Sequence, residues 1–196
     1  QSIAAQAEWL ERWTNGPTEG EWPILRTGAV APDRRLLDHE GTERALSDFW
    51  TAQPALLMFW RHFGCGCGFE RAARLNAEIH NYRDAGLQPV IIGQGEPERA
   101  AAYRAEHGLD CTILCDPDHD AYRAYGIGHW NIERILPDAP PEYWHHPREI
   151  GIDFQIQRRA DGQPLVDDPW RAVNEFVVGT NGVIRLNYAY QYCEDY

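Results

Sequence analysis

The order of apolar and polar residues changes abruptly near position 65. Residues 55–60 are apolar at every position, as in a strand that is covered on both faces of a sheet. From residue 69 onward, Ala72, Leu75 and Ile79 recur every three or four positions with charged residues between them. The pattern predicts a strand, a tight turn and then a helix.

The alternation of strands and helices continues through most of the chain. Asn181 and Gly182 separate the last two apolar runs, and Asn-Gly in that setting is a strong signal for a β-hairpin. This order predicts an α/β fold with a central sheet and helices on both faces. The other predicted elements are a helix at 3–13, a strand at 88–93, a helix at 96–107, a strand at 111–115, a helix at 121–127, and hairpin strands at 175–180 and 183–190.

Two parts of the chain interrupt this rhythm. Residues 128–172 lack clear periodicity and are rich in proline, aromatic residues and histidine. A segment of this length is either a lid, binding loop or interface arm, or an insertion that covers the sheet surface, and both interpretations stay open. Residues 1–25, with the helix at 3–13, form an N-terminal helical extension to a main domain at 26–196.

Composition narrows the class of protein. The 196 residues are 43% hydrophobic and 24% charged, which suits one globular domain, and no apolar run approaches the roughly 20 residues of a membrane span. A net charge of −12 argues against nucleic acid or an anionic membrane as a partner. All 18 basic residues are arginine, which excludes a lysine Schiff base. Five cysteines, an odd number, fit a reducing compartment, so we expect a cytoplasmic location.

Cys65 and Cys67 lie in the predicted turn, at the start of the helix. The partial positive charge of a helix N-terminus favours thiolate, the reactive form of cysteine. Arg61 and His62 are close enough in sequence to add positive charge or a proton relay, and Gly66 would permit the turn that a disulfide between the two thiols needs. The pattern predicts a redox site, and the simpler alternative is a pair of small buried residues.

Several segments resemble the thioredoxin-like redoxins of the alkyl hydroperoxide reductase and thiol-specific antioxidant (AhpC/TSA) superfamily, in particular its peroxiredoxin-like branch. The resemblance covers most of residues 26–193 and implies a thioredoxin-like fold, with a central mixed sheet, helices on both faces and a C-terminal hairpin. The branch often has a second cysteine three positions after the first, where this chain has Gly68. The matching segments are 28–33, 36–38, 46–48, 59–65, 114–118, 124–127 and 176–185.

The resemblance implies a thiol-dependent oxidoreductase without a bound cofactor. Cys65 would attack a peroxide or a disulfide, and Cys67 would resolve the product. Arg61 and His62 would tune the charge, and an external thiol such as a thioredoxin or a low-molecular-weight thiol would supply electrons. We also consider a homodimer. The expected substrate-binding residues are Trp60, Phe63, Gly64 and Gly66.

The other three cysteines receive separate interpretations. Cys193, near the C-terminus, is a candidate resolving thiol, although an ordinary surface residue on a mobile tail is the favoured interpretation. Cys111 and Cys115 are too far apart along a strand to bridge each other, and we expect both in the core.

Two other function classes stay open. In the first, the chain is a metal-binding module that uses Cys65 and Cys67 with a histidine such as His62, His145 or His146. In the second, it is a thioredoxin-like scaffold without turnover, whose tryptophan-rich insertion binds a protein or a small ligand.

Overall fold

The structure is a computed structural model that describes residues 3–20, 22–64, 66–193 and 195. Within these residues a single mixed sheet has the strand order β2-β1-β5-β4-β3-β6-β7. The central strands β3, β4 and β5 are parallel, and the other pairs are antiparallel. The strands are β1 (Arg35–Asp38), β2 (Glu43–Ala45), β3 (Ala55–Phe59), β4 (Gln88–Gly93), β5 (Thr112–Cys115), β6 (Asn174–Val178) and β7 (Ile184–Ala189).

Helices cover both faces of this sheet, as the sequence predicts. Along β3, Leu57 and Phe59 point into one apolar cluster, whereas Leu56 and Met58 point into the other. None of the described helices is both long and apolar enough to cross a bilayer. The helices are α1 (Ile3–Asn15), α2 (Ser47–Trp50), α3 (Gly66–Asp84), α4 (Pro97–Glu106), α5 (Asp120–Ala124), α6 (Ile132–Ile135) and α7 (Pro147–Ala160), with a 3₁₀ helix at Pro141–His145.

The predicted strand, turn and helix around position 65 are confirmed. Every residue of β3 is buried, since it lies between β4 and β6 with a covered face on each side. Helix α3 begins at Gly66, three residues before the apolar period becomes visible, and buries Ala72, Leu75 and Ile79. The hairpin β6–β7 is also confirmed, and Gly182 adopts a left-handed φ of 72° in its turn.

Residues 128–172 differ from the expectation of a segment without regular structure. They contain α6, the 3₁₀ helix and α7, which packs against α1. The period of α7 is hidden because its buried face includes Gly151 and Gln155 as well as Ile150. Gly151 is required there, since a Cβ atom at this position would lie 2.7 Å from the ring of Trp13. A buried face made partly of glycine and glutamine gives no apolar signal.

Candidate active site

The segment after β3 is fixed by backbone hydrogen bonds at the carboxyl end of the parallel strands. The Trp60 N–H donates to the carbonyl of Ile92 at 2.9 Å. The buried hydroxyl of Tyr122 donates to the carbonyl of Trp60 and, at 3.1 Å, to that of Ile92. The turn that carries the predicted site is therefore anchored to the neighbouring strand β4.

Cys67 lies in the first turn of α3 and is half-buried. It is disulfide-bonded, whereas Cys111, Cys115 and Cys193 are thiols. Cys65 lies outside the described residues, so its predicted role is not tested by the structure. The N-terminal N–H groups of α3 supply positive potential beside Cys67, which would favour a thiolate over a thiol there once the disulfide is reduced.

Arg61 holds the turn against the end of the insertion. Its side chain is only 6% exposed. The guanidinium donates through Nε at 3.0 Å and through Nη2 at 2.5 Å to the carbonyl of Pro169. Burial lowers the pKa of Arg61, although Cys193 and Asp168 act in the opposite direction. A guanidinium nevertheless keeps its proton in a protein, so Arg61 is a fixed buried cation.

His62 is a neutral imidazole. It is 4% exposed, and burial together with the guanidinium groups of Arg61, Arg99 and Arg158 holds its pKa well below the ordinary value. Arg61 Nη1 lies 3.2 Å from His62 Nε2. Because a guanidinium can only donate, Nε2 is the acceptor and the ring proton lies on Nδ1. His62 therefore adds polarity but no charge to the site at neutral pH.

Cys193 is not the surface residue that its position near the C-terminus suggested. It is 7% exposed and packs in the core. Its thiol donates toward the sulfur of Cys67, at an Sγ to Sγ distance of 3.0 Å. The correction has a physical cause: the chain turns back after β7, and the Cys193 N–H donates to the carbonyl of Arg134 at 2.9 Å. The structure thus brings the sulfur of Cys193 next to that of Cys67.

A cavity of about 320 Å³ lies beside these sulfurs. Its wall combines the predicted residues Gly64 and Gly66 with apolar side chains from α1 and from the insertion, which sequence reasoning did not place near the site. Trp60 lines a smaller adjoining cavity instead. The larger cavity is lined by Trp9, Trp13, Arg61, His62, Gly64, Gly66, Cys67, Ile135, Leu136, Phe154, Gln157, Arg158, Leu165 and Cys193.

Phe63 is separate from these cavities. Its ring stacks on Tyr103 with centroids 4.6 Å apart, and its backbone N–H donates to Asp167 at 3.4 Å. A Cβ atom at Gly93 would lie 2.4 Å from the Phe63 ring, so this glycine makes room for it. The structure places Phe63 in the core, where it supports the turn from behind.

Sequence reasoning missed a buried ionic pair next to Cys67. Arg71 of α3 donates to the carboxylate of Glu175 on β6, and both side chains are largely buried. The hydroxyl of Tyr190 also donates to this carboxylate, at 2.7 Å. Burial alone would lower the pKa of Arg71, but Glu175 outweighs it and raises the pKa above the ordinary value. The four-residue spacing from Cys67 to Arg71 is a signal that could have placed this arginine on the same side of the helix.

A second missed group is a buried polar network that ties the end of the insertion to the turn. Gln94 donates to the carbonyl of Arg61, while its Oε1 atom accepts from His119 Nε2 at 2.7 Å and from the Asp168 N–H at 3.1 Å. The other ring nitrogen of His119 lies 3.1 Å from Arg171 Nη2. Since Arg171 can only donate, His119 is neutral, with its proton on Nε2.

Asp168 is the anion of this network. It lies 2.8 Å from His129 Nε2 and 3.4 Å from Arg171 Nη2. Burial would raise its pKa, but these two partners more than offset burial and lower the pKa below the ordinary value. Glu19 completes the network, with 2.6 Å between its carboxylate and Arg171 Nη1. No sequence signal connects these residues, because they come from four distant parts of the chain.

Cys111 and Cys115 lie in the core, as expected. Burial raises the pKa of each thiol to about 12. A thiol with such a pKa carries almost no thiolate at neutral pH and is a poor nucleophile.

The described residues also bear on the metal hypothesis. His145 and His146 are both exposed and line neither cavity beside Cys67. Within the described part of the chain, no group of three histidine, cysteine, aspartate or glutamate side chains is arranged to hold a metal ion.

Two known proteins are similar in sequence to about half of this chain. A plant relative, the thioredoxin-like protein AAED1 of Arabidopsis thaliana chloroplasts, is 36% identical over 91 residues, which are 46% of this chain and 36% of that protein. Peroxiredoxin Bcp of Escherichia coli K12 is 25% identical over 103 residues, which are 53% of this chain and 65% of that protein. The chain thus matches about a third and just under two thirds of the lengths of these two relatives.

A solved structure supports the fold assignment. Peroxidoxin BcpB from Mycobacterium tuberculosis superimposes with a TM-score of 0.63 at 15% identity, covering 87% of this chain and 90% of that one. This likeness shows a thioredoxin-like peroxiredoxin fold. The model of the AhpC/TSA family matches residues 27–186, which is most of the chain. This chain belongs to the AhpC/TSA family.

Proposed function

We propose that this protein is a thiol-dependent oxidoreductase that reduces a peroxide or a disulfide. The observation that carries the proposal is the position of Cys67: it is disulfide-bonded, lies at the start of a helix, and lines a cavity together with the buried cation Arg61. Membership of the AhpC/TSA family supports the same class of chemistry. Cys65 is the proposed nucleophile on the basis of its sequence context.

The proposed peroxide reaction proceeds in three steps. The Cys65 thiolate attacks the O–O bond and becomes a sulfenic acid, and the other oxygen leaves as water or an alcohol. Cys67 then attacks the sulfenic sulfur, which releases water and forms a disulfide. An external dithiol, or two low-molecular-weight thiols, returns two electrons and restores both thiols. Arg61 stabilises the anionic sulfur, since it is a buried cation that lines the space around Cys67.

The shape of the site supports an organic substrate. The cavity of about 320 Å³ is lined mainly by apolar side chains, among them Trp9, Trp13 and Leu165. An apolar hydroperoxide gains binding free energy from such a wall, whereas hydrogen peroxide does not. We therefore expect kcat/KM for an aromatic hydroperoxide to exceed that for hydrogen peroxide. Widening the wall with Leu165→Ala should change the first value and leave the second unchanged.

Peroxide consumption and sulfenic acid trapping test the proposed function. The wild-type protein should consume peroxide in the presence of a dithiol, and dimedone should label Cys65. Cys65→Ser should abolish both signals. Cys111→Ala is the matched control, because Cys111 is a buried thiol with a pKa near 12 and should not contribute. Full peroxide turnover in Cys65→Ser would remove Cys65 from the mechanism.

Assays on the same protein distinguish reduction of a disulfide from reduction of a peroxide. Reduction of a model disulfide that depends on Cys65, without any peroxide consumption, would identify a thiol-disulfide oxidoreductase. If neither substrate reacts, the protein is a scaffold without turnover. Metal analysis of protein purified without chelators tests the remaining alternative, in which Cys65 and Cys67 hold an ion with His62.

The wider context of the activity is also a proposal. We propose a reducing compartment such as the cytoplasm, where an antioxidant role would draw on a thioredoxin or a low-molecular-weight thiol. For the homodimer, we propose pairing through β7, an edge strand on which Leu186 and Tyr188 are 48% and 44% exposed. Light scattering on the wild type and on Leu186→Lys tests this surface.

A further inference from the structure

Two sulfur atoms face each other where the C-terminal segment meets α3. The Sγ atoms of Cys67 and Cys193 are 3.0 Å apart, and the Cys193 thiol is directed at Cys67. A disulfide has a sulfur–sulfur distance of about 2.05 Å, so a movement of about 1 Å would join them. Cys67 is at the same time part of another disulfide. The arrangement thus places a thiol against a disulfide sulfur.

The position of Cys193 is built by the fold. The Cys193 N–H donates to the carbonyl of Arg134 at 2.9 Å. The Arg134 side chain in turn donates to the carbonyls of Gln191, at 2.7 Å, and Tyr190, at 3.2 Å. Asp195 accepts from the Gln191 N–H at 2.8 Å and closes the turn. Because these four hydrogen bonds fix the segment and three of them join it to Arg134 of the insertion, the short distance between the sulfurs follows from its docking there.

The surroundings of Cys193 favour its reactive form. Arg61 Nη1 lies 4.0 Å from the Cys193 sulfur. Arg61 is buried and stays charged, so a thiolate at Cys193 would face a cation with little screening by water. Arginines also act to lower the pKa of Cys111 and Cys115, but burial outweighs them and raises the pKa of each thiol to about 12.

We propose that Cys193 receives the disulfide from the Cys65–Cys67 pair, so that the three cysteines form a relay. The Cys193 thiolate attacks the Cys67 sulfur, a Cys67–Cys193 bond forms, the Cys65–Cys67 bond breaks, and Cys65 leaves as a thiolate. The proton lost by Cys193 balances the one that Cys65 can accept. The step is a thiol–disulfide exchange without net oxidation, and so it needs no further oxidant. It rests on the proposed function, which generates the first disulfide.

The relay would give Cys193 a role in turnover. After the exchange Cys65 is again a thiolate and can react with another substrate molecule before any reductant arrives. The external donor would then attack the Cys67–Cys193 disulfide, at the C-terminal segment. Oxidation at the turn and reduction at the C-terminal segment would thus occur on different sulfur pairs.

Peptide mapping under non-reducing conditions tests the relay, because the chain has no lysine and trypsin cleaves only after arginine. The peptide 62–71 contains both Cys65 and Cys67, whereas the peptide 186–196 contains Cys193. After one equivalent of peroxide, the wild type should yield these two peptides joined by a disulfide, and Cys65 should again react with a maleimide. Cys193→Ser should yield only a disulfide within 62–71, with complete loss of the maleimide label there.

Controls separate a failed relay from a failed function. Cys111→Ala should give the same joined peptides as the wild type. A disulfide within 62–71 in the wild type, without joined peptides, would overturn the relay and leave the proposed function standing. The absence of any disulfide together with the absence of peroxide consumption would overturn both.

A second variant tests the geometry without the first disulfide. In Cys65→Ser, Cys67 and Cys193 should be joined by a mild thiol oxidant such as diamide. If they stay unjoined while the variant keeps the wild-type circular dichroism spectrum, the two sulfurs do not meet in solution and the relay is wrong.

Discussion

The stability of the protein should fall steeply in mild acid because His119 is buried as a neutral base. Burial and the nearby Arg171 lower its pKa from 6.5 to about 4, whereas Asp168 and Glu19 act in the opposite direction. In the unfolded chain the same imidazole titrates at its ordinary pKa near 6.5. Between these two values the unfolded state binds a proton that the folded state does not, so lowering the pH favours unfolding.

The size of the effect follows from the shift in pKa. One unit corresponds to about 1.4 kcal/mol, so a change from 6.5 to about 4 amounts to about 3 kcal/mol of unfolding free energy. The contribution of neutral His119 to stability is fully present above the pKa that it has in the unfolded chain. It is lost as the pH falls through the pKa that it has in the folded protein. Asp168 keeps its negative charge throughout this window, since its own pKa is lowered by His129 and Arg171.

Urea unfolding of the wild type and of His119→Asn, at constant redox state, measures this contribution. Residue 119 has a left-handed φ of 59°, which asparagine adopts more readily than most residues. When the pH is lowered from above 6.5 to about 4, the free energy of unfolding of the wild type should fall by about 3 kcal/mol more than that of the variant. Two parallel stability curves would refute the neutral, buried state of His119.

Three substitutions test the packing beside the sulfurs. Gly64→Ala should lower the free energy of unfolding by about 1–3 kcal/mol, because the new Cβ would lie 2.9 Å from the Pro164 carbonyl oxygen. Gly66→Ala should keep a free energy of unfolding within about 1 kcal/mol of the wild type, since no atom outside its own helix backbone and its chain neighbours lies within 4 Å of its Cβ position. Equal losses in both variants would contradict this geometry. Arg71→Leu should lower the free energy of unfolding by about 3 kcal/mol, because it leaves the buried Glu175 carboxylate without its cation. Adding Glu175→Gln should recover part of this loss in the same denaturation assay.

The strand, turn and helix at the centre of the fold could be predicted because their signals are local. Strand β3 is covered on both faces, so every residue in it is apolar, and α3 shows its buried positions as a period of three to four. The hairpin at Gly182 is equally local, since the turn needs a residue that tolerates positive φ. The location of Arg61, His62 and Cys67 beside this turn could be predicted from their short distance to it along the chain.

Features that depend on distant parts of the chain could not be predicted in this way. Trp13 stacks on Trp170 with 4.7 Å between ring centroids, and this contact joins α1 to the end of the insertion. The two residues have no sequence relation that indicates the contact. Cys193 reaches Cys67 only because Arg134, within the insertion, holds the C-terminal segment. The wall of the site and the position of the Cys193 sulfur are therefore products of tertiary packing.

The cationic groups around Cys67 lead to a last prediction, on the pH dependence of the reaction. Arg61 and Arg71 line the cavity beside Cys67, and a guanidinium does not lose its proton in a protein, whereas His62 is neutral because burial lowers its pKa. The electrostatic potential at the sulfurs should then be constant through neutral pH. The rate of peroxide consumption should consequently rise with pH through a single ionisation, that of the attacking thiol. His62→Asn should keep the shape of this profile, and a second inflection near the ordinary histidine pKa that disappears in the variant would show that His62 gains a proton, contrary to its buried position.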